Sequence, residues 1–258
     1  MKFALFACLA AFALGVMCNL AGATTYSSDA TDLWWNPTES GWGVNVVQQD
    51  NTLFATLFAY GASSQPAWYV GPAIAYVSTN SAGGLVFSGP WYQTTGPWFG
   101  GAFNPSNVTV RQVGNATFTL NSLESATLTY TVDNVSVTKN LLRQTWKSEN
   151  LTGVYIGVST STLSGCGAGV DGYSEGSTTI SITQNGTAMT IVDGTGSDAC
   201  TYTGTYSQSG RMGSINATGT CGTLNFLEVQ TTFDGLTARA RFQQGNCTGN
   251  LRLGALRR

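Results

Sequence analysis

The chain reads as an all-β protein: two antiparallel meander modules of about eight strands each, barrel or sandwich, behind a cleaved signal peptide. Three observations predict this. Short stretches of alternating apolar and polar residues recur after residue 23, with no amphipathic helical pattern among them. Turn-forming residues separate these stretches at regular intervals, which is the spacing of a meander and not of a parallel sheet. Aromatic and sulfur residues also segregate. All seven tryptophans lie between Trp34 and Trp146, and Cys166, Cys200, Cys221 and Cys247 all lie beyond them.

The signal is carried by Lys2, an apolar run over Phe3 to Val16, and the small-residue triplet Ala21-Gly22-Ala23. That run falls short of the roughly 20 apolar residues a spanning helix needs. Cleavage after Ala23 is therefore expected, with a secreted or periplasmic location and no membrane span in the mature chain. Bulky Met17 ahead of Cys18 weighs against lipoprotein processing. A short polar stretch, Lys147-Ser148-Glu149-Asn150, divides the remainder. The expected domains are 1–23 (signal peptide), 24–147 (tryptophan-rich β module) and 148–258 (disulfide-bearing β module).

The clearest strand is Ala126 to Asp133, with Ala126, Leu128, Tyr130 and Val132 on one face. Thr201–Tyr206 and Leu236–Phe242 alternate in the same way. Turns are expected at Gln49-Asp50-Asn51, Gly61-Ala62-Ser63, Val113-Gly114-Asn115, Asp133-Asn134, Asn185-Gly186, Ser209-Gly210 and Asp234-Gly235. Asn, Asp and Gly tolerate the positive φ angles of tight hairpins. A membrane barrel shares the alternation, but here Gly, Asn and Gln interrupt many strands, and Arg257-Arg258 stands where such barrels carry an aromatic residue.

The four cysteines are 34, 21 and 26 positions apart, without the close pairs of a zinc site. Export and an even count point to disulfides. Cys200 and Cys221 flank a hairpin turning at Ser209-Gly210, so they stand opposite each other. Cys166 follows the first strand of the second half and Cys247 precedes its last, so they meet if those strands pair to close a barrel. The expected bonds are Cys200–Cys221 and Cys166–Cys247.

Charge and residue chemistry narrow the function. The chain carries 11 basic and 13 acidic residues, a net charge of −2, which argues against nucleic acid as a partner. It has no histidine. That removes Ser-His and Cys-His pairs, histidine zinc sites and imidazole acid–base catalysis. No metal or cofactor is expected, and oxidised cysteines offer no thiolate. Paired carboxylates remain, with Glu39 as the candidate and Asp32 or Asp50 as its partner. Glu39 sits in Trp34-Trp35-Asn36-Pro37-Thr38-Glu39-Ser40-Gly41-Trp42-Gly43, where a turn or a ligand contact accounts for it more simply. Asp193-Gly194-Thr195-Gly196-Ser197-Asp198 lacks the alternate oxygen ligands of a calcium loop and reads as a strand connection.

The tryptophans admit two readings. They fill a barrel core, or some of them line a concave site that stacks on sugars or other flat ligands. Trp35, Trp42 and Trp68, with polar Glu39 and Asn45, form the candidate ligand-binding set; the ligand is unknown, and carbohydrate or a small aromatic molecule is the class these side chains suit. Gly89-Pro90-Trp91-Tyr92 and Gly96-Pro97-Trp98-Phe99 repeat one tetrapeptide seven residues apart, and with Tyr69 they join the tryptophans as candidates to line that site.

The run Trp34 to Asn45, followed by Leu53-Phe54-Ala55-Thr56 and Pro66-Ala67-Trp68-Tyr69, resembles a segment of an uncharacterised family of secreted bacterial β domains. Val113 to Thr117, Leu128 to Val132 and Lys139 to Gln144 are similar to the end of the same module. The resemblance implies export and β structure and carries no activity. Gly153-Val154-Tyr155 with the late Arg252 resembles the early Gly-x-Trp and late Arg of lipocalins and avidins, with Tyr155 in place of the tryptophan. The function expected is that of a secreted, non-enzymatic binding or surface-associated protein. A carboxylate-dependent glycan hydrolase or lyase and a structural envelope component without a ligand site are the alternatives.

Overall fold

A computed structural model describes residues 28–258. The signal peptide expected over 1–23, with Cys8 and Cys18, lies outside the described residues. The described chain is all-β. Its first eight strands are β1 (Asp32–Trp35), β2 (Gly43–Gln49), β3 (Thr52–Tyr60), β4 (Pro66–Thr79), β5 (Leu85–Thr95), β6 (Thr109–Leu120), β7 (Ser125–Val132) and β8 (Val135–Arg143). They close into a barrel, each pairing with the next and β8 returning to β1. The second eight are β9 (Gly153–Ser164), β10 (Gly172–Asn185), β11 (Ala188–Asp193), β12 (Cys200–Ser209), β13 (Met212–Gly219), β14 (Gly222–Thr231), β15 (Gly235–Gln244) and β16 (Cys247–Arg257). These close a second barrel through β16 and β9.

Every strand pair is antiparallel, so connections alternate between the two ends of each barrel. In the first barrel the upper end carries the connections 36–42, 61–65, 96–108 and 133–134. Alternation along each strand sends one set of side chains inward. In the first barrel that set is large and aromatic: Trp34, Phe87, Trp91 and Phe118 are buried with Leu53, Leu57, Ile74, Leu128 and Leu141. Trp34 meets Phe118 edge-on at 5.4 Å. The second barrel fills its interior with smaller side chains and three tyrosines, Tyr155, Tyr202 and Tyr206.

Burial pushes all three phenols above their ordinary value, Tyr206 to about 12. The unfolded tyrosine ionises near pH 10, so from about pH 10 to 12 the unfolded chain loses its proton first and folding weakens. Tyr206 alone is expected to remove roughly 2–3 kcal/mol by pH 12. Urea unfolding followed between pH 8 and 11.5, with phenolate absorbance at 295 nm, checks this. Ordinary ionisation of all ten tyrosines in the folded protein would contradict it.

Both barrels shut their lower ends with the same latch. Trp34 Nε1 donates to Ala30 O (2.9 Å), and the Tyr155 hydroxyl donates to Leu151 O (2.9 Å). The backbone N–H groups of Ala30 and Leu151 donate to the side-chain oxygens of Gln48 and Gln184, at 2.8 and 2.9 Å. Those glutamines in turn donate their own backbone N–H groups to Thr31 Oγ1 and Thr152 Oγ1, each at 2.9 Å. The two halves are thus structural repeats at this end, although their cores differ in composition. A late arginine completes each latch. Arg143 donates to the carbonyls of Asp29, Thr31 and Leu123, and Arg257 donates to Thr152 O. The arginine paired with Tyr155 is therefore Arg257, while Arg252 pairs with Thr160 and Arg239 farther along the strands. The fuller tryptophan–arginine arrangement belongs to the first barrel, where the Arg143 guanidinium lies 4.5 Å from the Trp34 ring.

Cys166–Cys247 and Cys200–Cys221 are bonded, the pairing that strand order predicts. One expected turn is absent. Val113-Gly114-Asn115 lies inside β6, because Gly114 is required there for close approach and not for reversal. A Cβ at Gly114 would sit 2.2 Å from Thr131 O on the neighbouring strand. The turns at Asp133-Asn134 and Asn185-Gly186 do form, with φ of 47° and 69° at the first pair and 61° at Gly186.

Candidate functional site

The upper rim of the first barrel gathers the polar and aromatic groups that the packed interior leaves over. The connection 36–42 folds on itself through Asn36. Thr38 donates its backbone N–H (2.9 Å) and its hydroxyl (2.8 Å) to Asn36 Oδ1, and Glu39 N–H donates to Asn36 O (3.0 Å). Gly41, at φ 118°, then turns the chain so that Trp42 packs against the core. Trp42 Nε1 donates to Glu39 Oε2 at 3.0 Å. Lys139 of β8 donates to the same oxygen at 2.6 Å, and its ammonium stands 5.4 Å from the centre of the Trp42 ring. Lys139 thereby holds the Glu39 carboxyl below its ordinary value, and the Trp42 N–H acts in the same direction. The carboxylate is ionised across the neutral range and accepts hydrogen bonds; it is not a proton donor.

Beneath this triad the rim is aromatic. Tyr69 and Tyr130 are half-buried against the core. Burial raises the Tyr130 phenol, and the nearness of Tyr69 and Glu39 raises it further. The Tyr130 ring is 6.3 Å from that of Trp91, tilted by 39°. Trp91 is fully buried, yet its Nε1–H has no hydrogen-bond partner. A buried donor left unpaired costs about 1–3 kcal/mol, so one at the foot of a polar rim calls for an explanation. At the margin Arg111 donates to the Asp133 carboxylate and, at 2.8 Å, to Gln93 Oε1.

The five candidate ligand residues divide between two surfaces. Glu39 and Trp42 belong to the rim. Trp35, Asn45 and Trp68 lie on the outside of the barrel, where they pair with Leu142, Thr56 and Phe58. The cause is strand alternation: adjacent residues point to opposite faces, so burying Trp34 turns Trp35 outward, and burying Val44 and Val46 does the same to Asn45. Trp68 is 49% exposed. The repeated tetrapeptides also part company. Gly89–Tyr92 lies in β5 with Trp91 in the core, whereas Gly96–Phe99 opens the loop 96–108, leaving Trp98 71% and Phe99 94% exposed.

Neither partner expected for Glu39 stands near it. Asp32 sits at the lower end, its Oδ2 accepting from Arg143 (3.2 Å) and from the Arg211 backbone N–H (2.9 Å). Asp50 lies in the turn at the far end of the seven-residue β2, roughly 20 Å along the strand. A glycosidase pair stands about 5–10 Å apart.

Lys139 and Tyr130 are absent from the sequence candidates, whereas Tyr69 and Trp91 belong to the aromatic set expected to line a site. A signal for Lys139 exists. Val137, Lys139, Leu141 and Arg143 share one parity, so burying Leu141 draws two cations inward along with it. None of the comparisons with known proteins finds a match, whether to a family model, a curated protein or a solved structure.

Proposed function

We propose that the chain is an exported, non-enzymatic binding protein whose first barrel takes a carbohydrate or small aromatic ligand at its upper rim. The observation that carries the reading is the unpaired indole N–H of Trp91 beneath Tyr130, below a rim formed by Trp42, Glu39 and Lys139. A ligand oxygen reaching that N–H would satisfy it, while Trp42 and Tyr130 offer faces for stacking and Glu39 and Lys139 offer an acceptor and a donor to hydroxyl groups. Hydrolysis is the weaker reading, because Glu39 is ionised, doubly engaged and distant from a second carboxylate.

Intrinsic tryptophan emission, titrated with a panel of neutral oligosaccharides and indole-type compounds, tests the proposal. At least one class is expected to shift the emission saturably. Trp42→Ala is expected to weaken that binding about ten-fold, since loss of one stacked face is worth about 1.4 kcal/mol. Unchanged affinity in Trp42→Ala would remove the rim as the site. Silence across the whole panel would favour a structural component.

A further inference from the structure

The outer face of the second barrel carries a trough along β16, flanked by β9 and β15. Two hollows of about 540 Å³ each share Thr162 and Asn250, and a third of about 260 Å³ meets the first at Arg239 and Arg252. Strand register sets the charges in this trough. Arg252 on β16 stands directly opposite Arg239 on β15, and Arg241 stands opposite Asn250. All three guanidiniums therefore share one face.

Like charges placed directly opposite each other weaken a sheet unless something neutralises them. Arg239 has its own counter-charge: Nε donates to Glu228 Oε2 at 2.9 Å, and Nη2 donates to the same oxygen. Arg241 and Arg252 are exposed and form no ion pair or side-chain hydrogen bond among the described residues. In a chain of acidic balance this grouping stands out, since five of its 11 basic residues, Arg239, Arg241, Arg252, Arg257 and Arg258, fall at or after β15. At the β10 side of the trough the Glu175 carboxylate accepts from the Tyr173 hydroxyl at 2.8 Å, which leaves the Tyr173 ring 66% exposed.

Neutral hydrogen-bonding groups lie between the two free guanidiniums and the tyrosine. Thr162 and Asn250 are successive cross-strand neighbours on the row from Tyr173 to Arg241, and Asn225 follows beyond it. Amides and hydroxyls that match sugar hydroxyls, a ring that stacks on a pyranose face, and spaced cations that match acidic substituents all occur along one groove. We propose that this trough is a second binding site, separate from the rim of the first barrel, for an acidic polysaccharide strand. Its carboxylates or sulfates pair with Arg241 and Arg252, and Tyr173 stacks on a neighbouring sugar. Glu175 and Glu228 at the two sides confine the anion to the middle of the trough, which a nucleic acid with its continuous phosphate charge does not match.

The full chain is titrated calorimetrically at low ionic strength with oligogalacturonate and with dextran sulfate, and with neutral dextran and polyglutamate as comparison polymers. The two acidic polysaccharides are expected to bind and dextran is not; the stronger of the two distinguishes carboxylate from sulfate. Arg241→Gln and Arg252→Gln are each expected to weaken binding about ten-fold, as the loss of one charge-assisted contact does. The double variant is expected to abolish it. Arg258→Gln makes the same charge change outside the trough and leaves binding intact. Circular dichroism of each variant confirms that the barrels remain folded. The proposal is overturned by a double variant that binds like the parent, by dextran binding as tightly as the acidic chains, or by no binding of either acidic polysaccharide. Polyglutamate binding with equal affinity and the same arginine dependence would overturn the saccharide assignment in favour of an acidic peptide.

Discussion

Arg143→Ala is expected to lower the unfolding free energy by about 3–5 kcal/mol, the cost of breaking a buried ion pair by removing one partner. The Arg143 side chain is wholly shielded from solvent, and the Asp32 side chain is only 11% exposed. The guanidinium donates to the carbonyls of Asp29, Thr31 and Leu123 and to the Asp32 carboxylate, and it covers the Trp34 ring. Burial draws its pKa below the ordinary arginine value, which Asp32 opposes; an arginine stays protonated all the same. Removing it strands three carbonyls and takes the counter-charge from the Asp32 carboxylate at the seam where β8 returns to β1. That seam is short, with only Trp34 and Trp35 paired to Arg143 and Leu142, so the side chain supplies much of the closure there. Asp32 also accepts from the Arg211 backbone N–H in the second barrel, which ties the two barrels together at this point. Urea unfolding of Arg143→Ala beside Arg257→Ala measures the effect. The corresponding arginine of the second barrel is exposed and its loss is expected to cost less than about 1 kcal/mol. Equal losses in the two variants would mean that the first latch is no more than a surface contact.

That latch shows where the sequence is legible and where it is not. The strand count and the meander order come from period-two alternation broken by turn residues, and the disulfides come from where each cysteine falls relative to its strands; the choice of barrel over sandwich is made by the pairing of β8 with β1 and of β16 with β9. A pattern of this kind is local, and local chemistry decides it. Register is not local. Tyr155 and Arg252 lie at matching places in the chain, but which arginine of β16 reaches Tyr155 depends on how far β16 slides along β9, and the pairing selects Arg257. The same limit applies to the candidate site. Parity alone separates Trp34 from Trp35, so an aromatic run that is contiguous in sequence is split between the core and the outer face. Gly114 fails as a turn for a related reason: a glycine that admits a neighbouring strand and a glycine that reverses the chain are the same letter. Lys139 is within reach, since it has the parity of Leu141, but a lone lysine in a strand is ordinarily solvated and only the facing Glu39 gives it a role.

Replacing Cys166 and Cys247 together by serine is expected to cost the second barrel about 4 kcal/mol, against about 3 kcal/mol for the Cys200–Cys221 pair. The difference comes from loop length, 81 residues closed against 21. Position adds a reason. Cys247 opens β16 and Cys166 comes just after β9, so the bond clips the seam that joins the first and last strands of the second barrel, its most non-local contact. The first barrel has no such bond and relies on its buried tryptophans and phenylalanines. Reduction should therefore act on one barrel and spare the other. The distribution of tryptophan makes this separable: none lies beyond Trp146, so indole emission reports on the first barrel, while far-ultraviolet circular dichroism reports on both. In dithiothreitol, heating is expected to give an early loss of dichroism with tryptophan emission unchanged, then a second transition in which both move. Coincident transitions under reduction would show that the Asp32–Arg211 contact couples the barrels into a single cooperative unit, and that the sulfur clip does not set the weaker half apart.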